Sequence, residues 1–338
     1  MSRRPSSSHR GLPDRAHEPT RASQRFRPID SSLVDADPPA SGGTVELDSA
    51  PDAPQDEPPP ERIGRFRILG VLGRGGMATV YRAHDPIDGG QVALKLLRPT
   101  TDDRRADRLR QEATLALGLA HPAFVRAFEQ GEHEGRPYYT MEVATGPTLA
   151  DVLAQQGPLA PRDAACVVAR LARALDVLHE RGIVHRDLKP ANVVLHPTRG
   201  PVVLDLGLAK DLRAQRGLTG PGEILGTVSY MSPEQVQGGP VDARTDVYAL
   251  GAILFTLVTG RPPHQGPPVV ALRHILHGPA PLLGRHVPVS PSLEAACRAA
   301  LARDPGLRPA SALAFAQALE RVCADPRRVA PAPSDDAA

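Results

Sequence analysis

The stretch His185-Arg186-Asp187-Leu188-Lys189-Pro190-Ala191-Asn192 constrains this chain more than any other. It brings an acid, a base and an amide together in one short turn. It follows Ala164 to Arg181, where Val167, Leu171, Leu175 and Leu178 share one stripe of an amphipathic helix. Composition sharpens the point. Of 40 basic residues only three are lysines (Lys95, Lys189 and Lys210), and Asn192 is the only asparagine. A turn capped by an asparagine beside a solvated lysine is one account of such a stretch. A site that handles anionic groups is the other, and the scarcity of both residue types favours it.

Three more segments point the same way. Phe66-Arg67-Ile68-Leu69 alternates like a strand, Gly73-Arg74-Gly75-Gly76-Met77-Ala78-Thr79-Val80 follows, and Tyr81-Arg82-Ala83 continues extended. Glycines let a backbone approach a phosphate and aim N–H groups at it. A dinucleotide or P-loop site needs strand–loop–helix, so strand–loop–strand disfavours both. Val92-Ala93-Leu94-Lys95 sets a lysine among apolar neighbours, which is costly without anionic partners. Helical periodicity then runs from about Asp102 to Leu119, with Glu112 the only acid in its second half. Runs Phe124 to Phe128 and Tyr138 to Val143 read as strands. Val193-Val194-Leu195 and Val202-Val203-Leu204 read as a hairpin leading into Asp205-Leu206-Gly207. A helix is expected over Ala310 to Val322.

In this order and spacing, the segments resemble protein kinases over roughly residues 62 to 324. The catalytic loop H-R-D-x-x-x-x-N has every fixed position filled. Ala78 replaces the third glycine of G-x-G-x-x-G, Leu206 replaces the Phe of D-F-G, and Ser232-Pro233-Glu234 is a variant of A-P-E. Met231-Ser232-Pro233-Glu234-Gln235 is similar to the bacterial, eukaryotic-like Ser/Thr kinases. The resemblance implies an α+β, two-lobed fold. A small antiparallel β lobe with one helix covers about 62–143, and a larger, mainly α lobe covers about 144–324.

It also implies ATP and Mg²⁺ as cofactors and Ser/Thr residues of proteins as substrates. By resemblance Asp187 is the catalytic base, and Lys189, also catalytic, stabilises the γ-phosphate. Leu72, Gly73, Arg74, Gly75, Gly76, Val80 and Ala93 line the nucleotide, as do Lys95, its ion-pair partner Glu112, the gatekeeper Met141, and Glu142 and Val143 of the hinge. Asn192 and Asp205 hold the metal. Thr227 sits in the peptide-docking loop, and Thr219, the only hydroxyl between Asp205 and Thr227, is the candidate phosphosite, facing Arg186 and Lys210. Asp246 holds the catalytic-loop backbone, and Arg308 pairs with Glu234. A homodimer for autophosphorylation is compatible with the family. A pseudokinase scaffold and a small-molecule phosphotransferase are the alternatives. The presence of Lys95, Asp187 and Asp205 argues against the first, and the complete activation segment against the second.

Outside this region the chain reads as tails. Residues 1–61 hold 11 prolines, with seven arginines before position 31 and eight acids but no base in 31–61, and are expected to be disordered, like 325–338. A net charge of +2 demands neither nucleic acid nor an anionic membrane. Met1 to Arg10 is polar and has no apolar h-region, so no secretory signal is expected, and the apolar run Val247 to Val258 is too short to cross a bilayer. The three cysteines, Cys166, Cys297 and Cys323, are odd in number and lack metal-ligand spacing. A cytoplasmic protein with reduced thiols is the expectation.

Overall fold

Alternating apolar residues build the first half of the fold. Residues 58–207, 228–279 and 281–324 are described in this computed structural model. The strands are β1 (Arg62–Ile63), β2 (Phe66–Arg74), β3 (Ala78–His84) and β4 (Gln91–Leu97); helix α1 (Asp103–Leu117) follows, then β5 (Ala127–His133) and β6 (Arg136–Glu142). They form one antiparallel sheet in the order β1-β2-β3-β4-β6-β5. Because side chains alternate along a strand, Val92, Leu94 and Leu96 close one face with Ile63, Phe66, Tyr81 and Tyr138. Ala93, Leu97, Tyr139 and Met141 take the other face, where Leu109, Ala113 and Ala116 of α1 cover them.

Several boundaries differ from expectation, and two of the shifts have a clear cause. Helix α1 stops at Leu117: Gly118 N–H still bonds Thr114 O, but Leu119 N–H tightens onto Ala116 O, three residues back. The strand expected at Phe124 starts instead at Ala127, because Phe124 N–H bonds His121 O and Val125 N–H bonds Val203 O.

The second half is helical. It contains α2 (Leu149–Gln156), α3 (Pro161–His179), a 3₁₀ turn at Pro190–Asn192, the hairpin β7 (Val193–His196) and β8 (Gly200–Val203), α4 (Pro233–Gln237), α5 (Ala243–Thr259), α6 (Pro268–His277), α7 (Pro291–Ala300) and α8 (Ala312–Ala324). Helix α5 is buried at every residue from Thr245 to Val258, as an all-round apolar helix must be. The expected stripe of α3 is also buried at Val167, Leu171, Leu175 and Leu178. No described helix is long and apolar enough to cross a membrane. The N-terminal tail before residue 58 and the C-terminal tail from residue 325 lie outside the described residues.

The cysteines depart from expectation. Cys166 on α3 and Cys323 on α8 form a disulfide, while Cys297 is free and buried. Their sequence separation of 157 hid a pair whose Cα atoms lie 5.9 Å apart once the two helices pack. Arg162 strengthens the same junction by donating from Nε and Nη2 to the Cys323 carbonyl. A bridge across so long a loop restricts the unfolded chain strongly. Reduction is expected to lower unfolding stability by about 2–4 kcal/mol. Melting with and without a thiol reductant checks this, and Cys166→Ser should melt at one temperature in both conditions.

Candidate active site

Lys95 is the node of the site. Strand β4 turns it to the face covered by α1, opposite Tyr139 of β6. Its Nζ lies 2.6 Å from Glu112 Oε1 and 2.8 and 2.7 Å from Asp205 Oδ1 and Oδ2. Two carboxylates thus share one buried ammonium. Burial opposes the charge on Lys95, but Asp205 and Glu112 outweigh it and hold the amine well above its usual range. Burial, then the like charge of Asp205, pushes Glu112 up, and Lys95 pulls it back towards the ionised form. Burial would raise Asp205 too, yet Lys95 dominates there and holds it low.

The loop from His185 to Asn192 is fixed from below by α5. Asp246, fully buried, accepts from His185 N at 2.8 Å and Arg186 N at 2.9 Å, and lies 2.8 Å from His179 Nε2. Arg186 carries φ of 68°, a left-handed conformation that a long side chain seldom adopts. Its carbonyl is pinned by Gln235 Nε2 at 2.7 Å. This strained link presents Asp187. Asn192 Nδ2 donates to the Asp187 carbonyl at 2.9 Å and to Oδ2 at 3.3 Å, which leaves the Asn192 oxygen as its acceptor end. Lys189 Nζ stands 3.9 Å from Asp187 Oδ2.

Gly207 holds Asp205 against this loop. At φ of 59° it lies so close that an added Cβ would sit 2.4 Å from His185 O and 3.0 Å from Asp187 Cβ. Leu206 beside it is buried in the main core, so the leucine keeps the packing that the resemblance assigns to Phe.

The glycine-rich segment is mostly strand. β2 runs through Gly73 and Arg74, β3 resumes at Ala78, and Gly75 N–H closes the turn onto Ala78 O at 2.9 Å. Leu72 is exposed and Val80 half-buried. Ala93 pairs with Met141 across β4 and β6, so these two side chains stand together. Glu142 closes β6, half-buried like Val143, and its Oε1 takes a 2.7 Å contact from Arg199 Nη1. Thr219, Thr227 and Lys210 lie outside the described residues.

Comparison with known proteins decides the class. A family model described as the protein kinase domain matches residues 66–319. The chain belongs to the protein kinase family. It is 39% identical over 255 residues to "Serine/threonine-protein kinase PknB" of Mycobacterium leprae, covering 73% of this chain and 41% of that protein. It is 40% identical over 253 residues to the PknB of Mycolicibacterium smegmatis, covering 72% and 40%. A probable serine/threonine-protein kinase of Corynebacterium efficiens matches at 38% over 269 residues, covering 76% and 41%. The chain spans about two fifths of the length of these relatives.

The kinase family implies ATP and a divalent metal, and the donor set fits both. Among the described residues no cluster of three or more His, Cys, Asp or Glu could hold a metal unaided. Asp205 and the oxygen end of Asn192 supply an incomplete set of hard oxygen ligands, which suits a cation that shares phosphate oxygens and keeps water. Sequence reasoning missed Tyr139 and Gln235. Tyr139 bonds Glu112, and only the strand register, which places it opposite Lys95, would have signalled this.

Proposed function

We propose that this chain is an ATP- and Mg²⁺-dependent serine/threonine protein kinase that transfers the γ-phosphate of ATP to protein hydroxyls. The observation that carries the proposal is the junction at Lys95, which joins Glu112 and Asp205 from 17 and 110 positions away, beside the Asp187–Asn192 loop. Phosphoryl transfer needs negative oxygens neutralised and the two partners held in line. Lys95, set by Glu112, grips the α- and β-phosphates. Backbone N–H groups of residues 73–78 cover them, and Leu72, Val80, Ala93 and Met141 enclose the base. Backbone groups of Glu142 and Val143 read its edge.

A Mg²⁺ ion held by Asp205 and Asn192 would neutralise phosphate charge. Asp187 accepts a hydrogen bond from the substrate hydroxyl and takes its proton. Lys189, close to Asp187, stabilises the γ-phosphate. Residues 62–324 form the kinase domain between two tails, Thr219 is the autophosphorylation site reached by a second copy, Thr227 shapes the peptide-docking loop, and the protein acts in the cytoplasm.

The test incubates the purified full chain with Mg-ATP and a generic protein substrate, then maps phosphosites by mass spectrometry. Phosphoserine or phosphothreonine on the substrate, and phosphate at Thr219 that Thr219→Ala removes, are expected. ATP binding without transfer to any protein overturns the proposal in favour of a scaffold. Transfer only to small molecules in a metabolite panel overturns it in favour of a metabolite kinase.

A further inference from the structure

We propose that Tyr139 is a positioning residue that ties Glu112, and with it helix α1, into the inward setting that Lys95 requires. This deepens the kinase reading and rests on it. The Tyr139 hydroxyl donates to Glu112 Oε1 at 2.7 Å. That oxygen is the one Lys95 Nζ reaches at 2.6 Å. All three residues are buried, Glu112 completely, and Glu112 Oε2 has no hydrogen-bond partner. A carboxylate shut away from water depends on each donor it keeps.

The two donors on Glu112 differ in their other duties. Lys95 divides its ammonium between Glu112 and Asp205, and nucleotide phosphates would claim it as well. The Tyr139 hydroxyl serves Glu112 alone among the described residues. Burial pushes its phenol well up, so it stays a donor across the working pH range. Tyr139 therefore holds the carboxylate while Lys95 is engaged elsewhere. The geometry also keeps order in the reverse direction. Tyr139 is anchored in the middle of β6, paired to Lys95 on one side and Gln130 on the other, so it gives α1 a fixed point on the sheet.

The substitution Tyr139→Phe removes the donor and keeps the ring, so packing is preserved. Amide hydrogen exchange over residues 103–117, without nucleotide, is expected to quicken several-fold, because α1 loses a tether. With Mg-ATP, kcat/KM for ATP is expected to fall about tenfold, as for a lost hydrogen bond to a charged group. The loss should fall on KM for ATP and leave KM for the protein substrate unchanged. In a Glu112→Ala background, where no acceptor for the Tyr139 hydroxyl remains, the same change should cost less than about twofold, because coupled residues do not add.

Unchanged exchange over 103–117 overturns the proposal. So does an equal fall in the two backgrounds, which shows that the loss does not pass through Glu112. Exchange requires no turnover, so it judges Tyr139 independently. Absence of phosphate transfer by the wild type would count against the kinase reading instead.

Discussion

Replacing Asp187 with alanine is expected to lower kcat about a thousandfold while leaving nucleotide affinity within about twofold. The asymmetry follows from where the charges lie. In the proposed mechanism the phosphate-facing cation is Lys95, held by Glu112 and Asp205, and the substitution touches none of these contacts. Asp187 instead sits in a loop whose backbone is held by Asp246 and Gln235, with its carboxylate between Asn192 Nδ2 and Lys189 Nζ. As the proposed base, it contributes only when a hydroxyl must be aimed and deprotonated, which places its effect in the transition state and not in ATP binding. Single-turnover kinetics beside a nucleotide-binding titration checks both halves. A kcat for Asp187→Ala within tenfold of wild type would remove Asp187 from the mechanism. A matched loss of ATP affinity would recast it as a binding residue.

The charged part of the site was legible in the sequence because its chemistry is expensive. A chain with three lysines and one asparagine that places two lysines and the asparagine in recognisable settings leaves few other uses for them. Asp205 was readable from its glycine, and the structure shows why Gly207 is needed: the turn packs onto His185 too closely for any Cβ. Glu112 was reachable through helical spacing, and it is fully buried on the sheet-facing side of α1.

What stayed hidden depends on neighbours far apart in sequence. Tyr139 looks like one more aromatic in an alternating strand until the register of β4 and β6 sets it opposite Lys95. Cys166 and Cys323 meet only when α3 and α8 pack. Helices α6 and α7 went unassigned because each is short and buries few residues. Ala271 and Ile275 are the buried positions of α6, while Val269 and Val270 at its start are exposed and blur the period.

Removing the Arg308 guanidinium is expected to be the most damaging change to stability away from the nucleotide cleft. Its side chain is wholly buried, and all five of its N–H donors are used. Nη1 reaches Glu234 Oε1 at 2.7 Å and Arg244 O at 2.9 Å; Nη2 reaches Glu234 Oε2 at 2.8 Å and Arg303 O at 3.0 Å; Nε reaches Ala302 O at 2.8 Å. Its guanidinium carbon also lies 5.0 Å from the Tyr248 ring centroid. Burial would raise Glu234, but the bonds from Arg308 prevail and hold it low, so Glu234 is ionised at neutral pH.

Arg308→Met leaves that carboxylate buried with Thr245 Oγ1 as its remaining side-chain donor, a loss of about 3–5 kcal/mol. For a domain of this size the melting temperature should fall by about 6–20 °C. Arg308→Lys should recover little, because three donors on a tetrahedral nitrogen cannot reproduce the planar fork. The double variant Arg308→Met with Glu234→Met should regain part of the loss, since no charge is then stranded. Activity should fall with stability for a local reason. Glu234 and Gln235 are neighbours in α4, and Gln235 is the residue that pins Arg186 O beside Asp187. Thermal melts of the three variants decide the matter: an unchanged melting temperature for Arg308→Met would show that the buried pair contributes nothing to holding α4 under the catalytic loop.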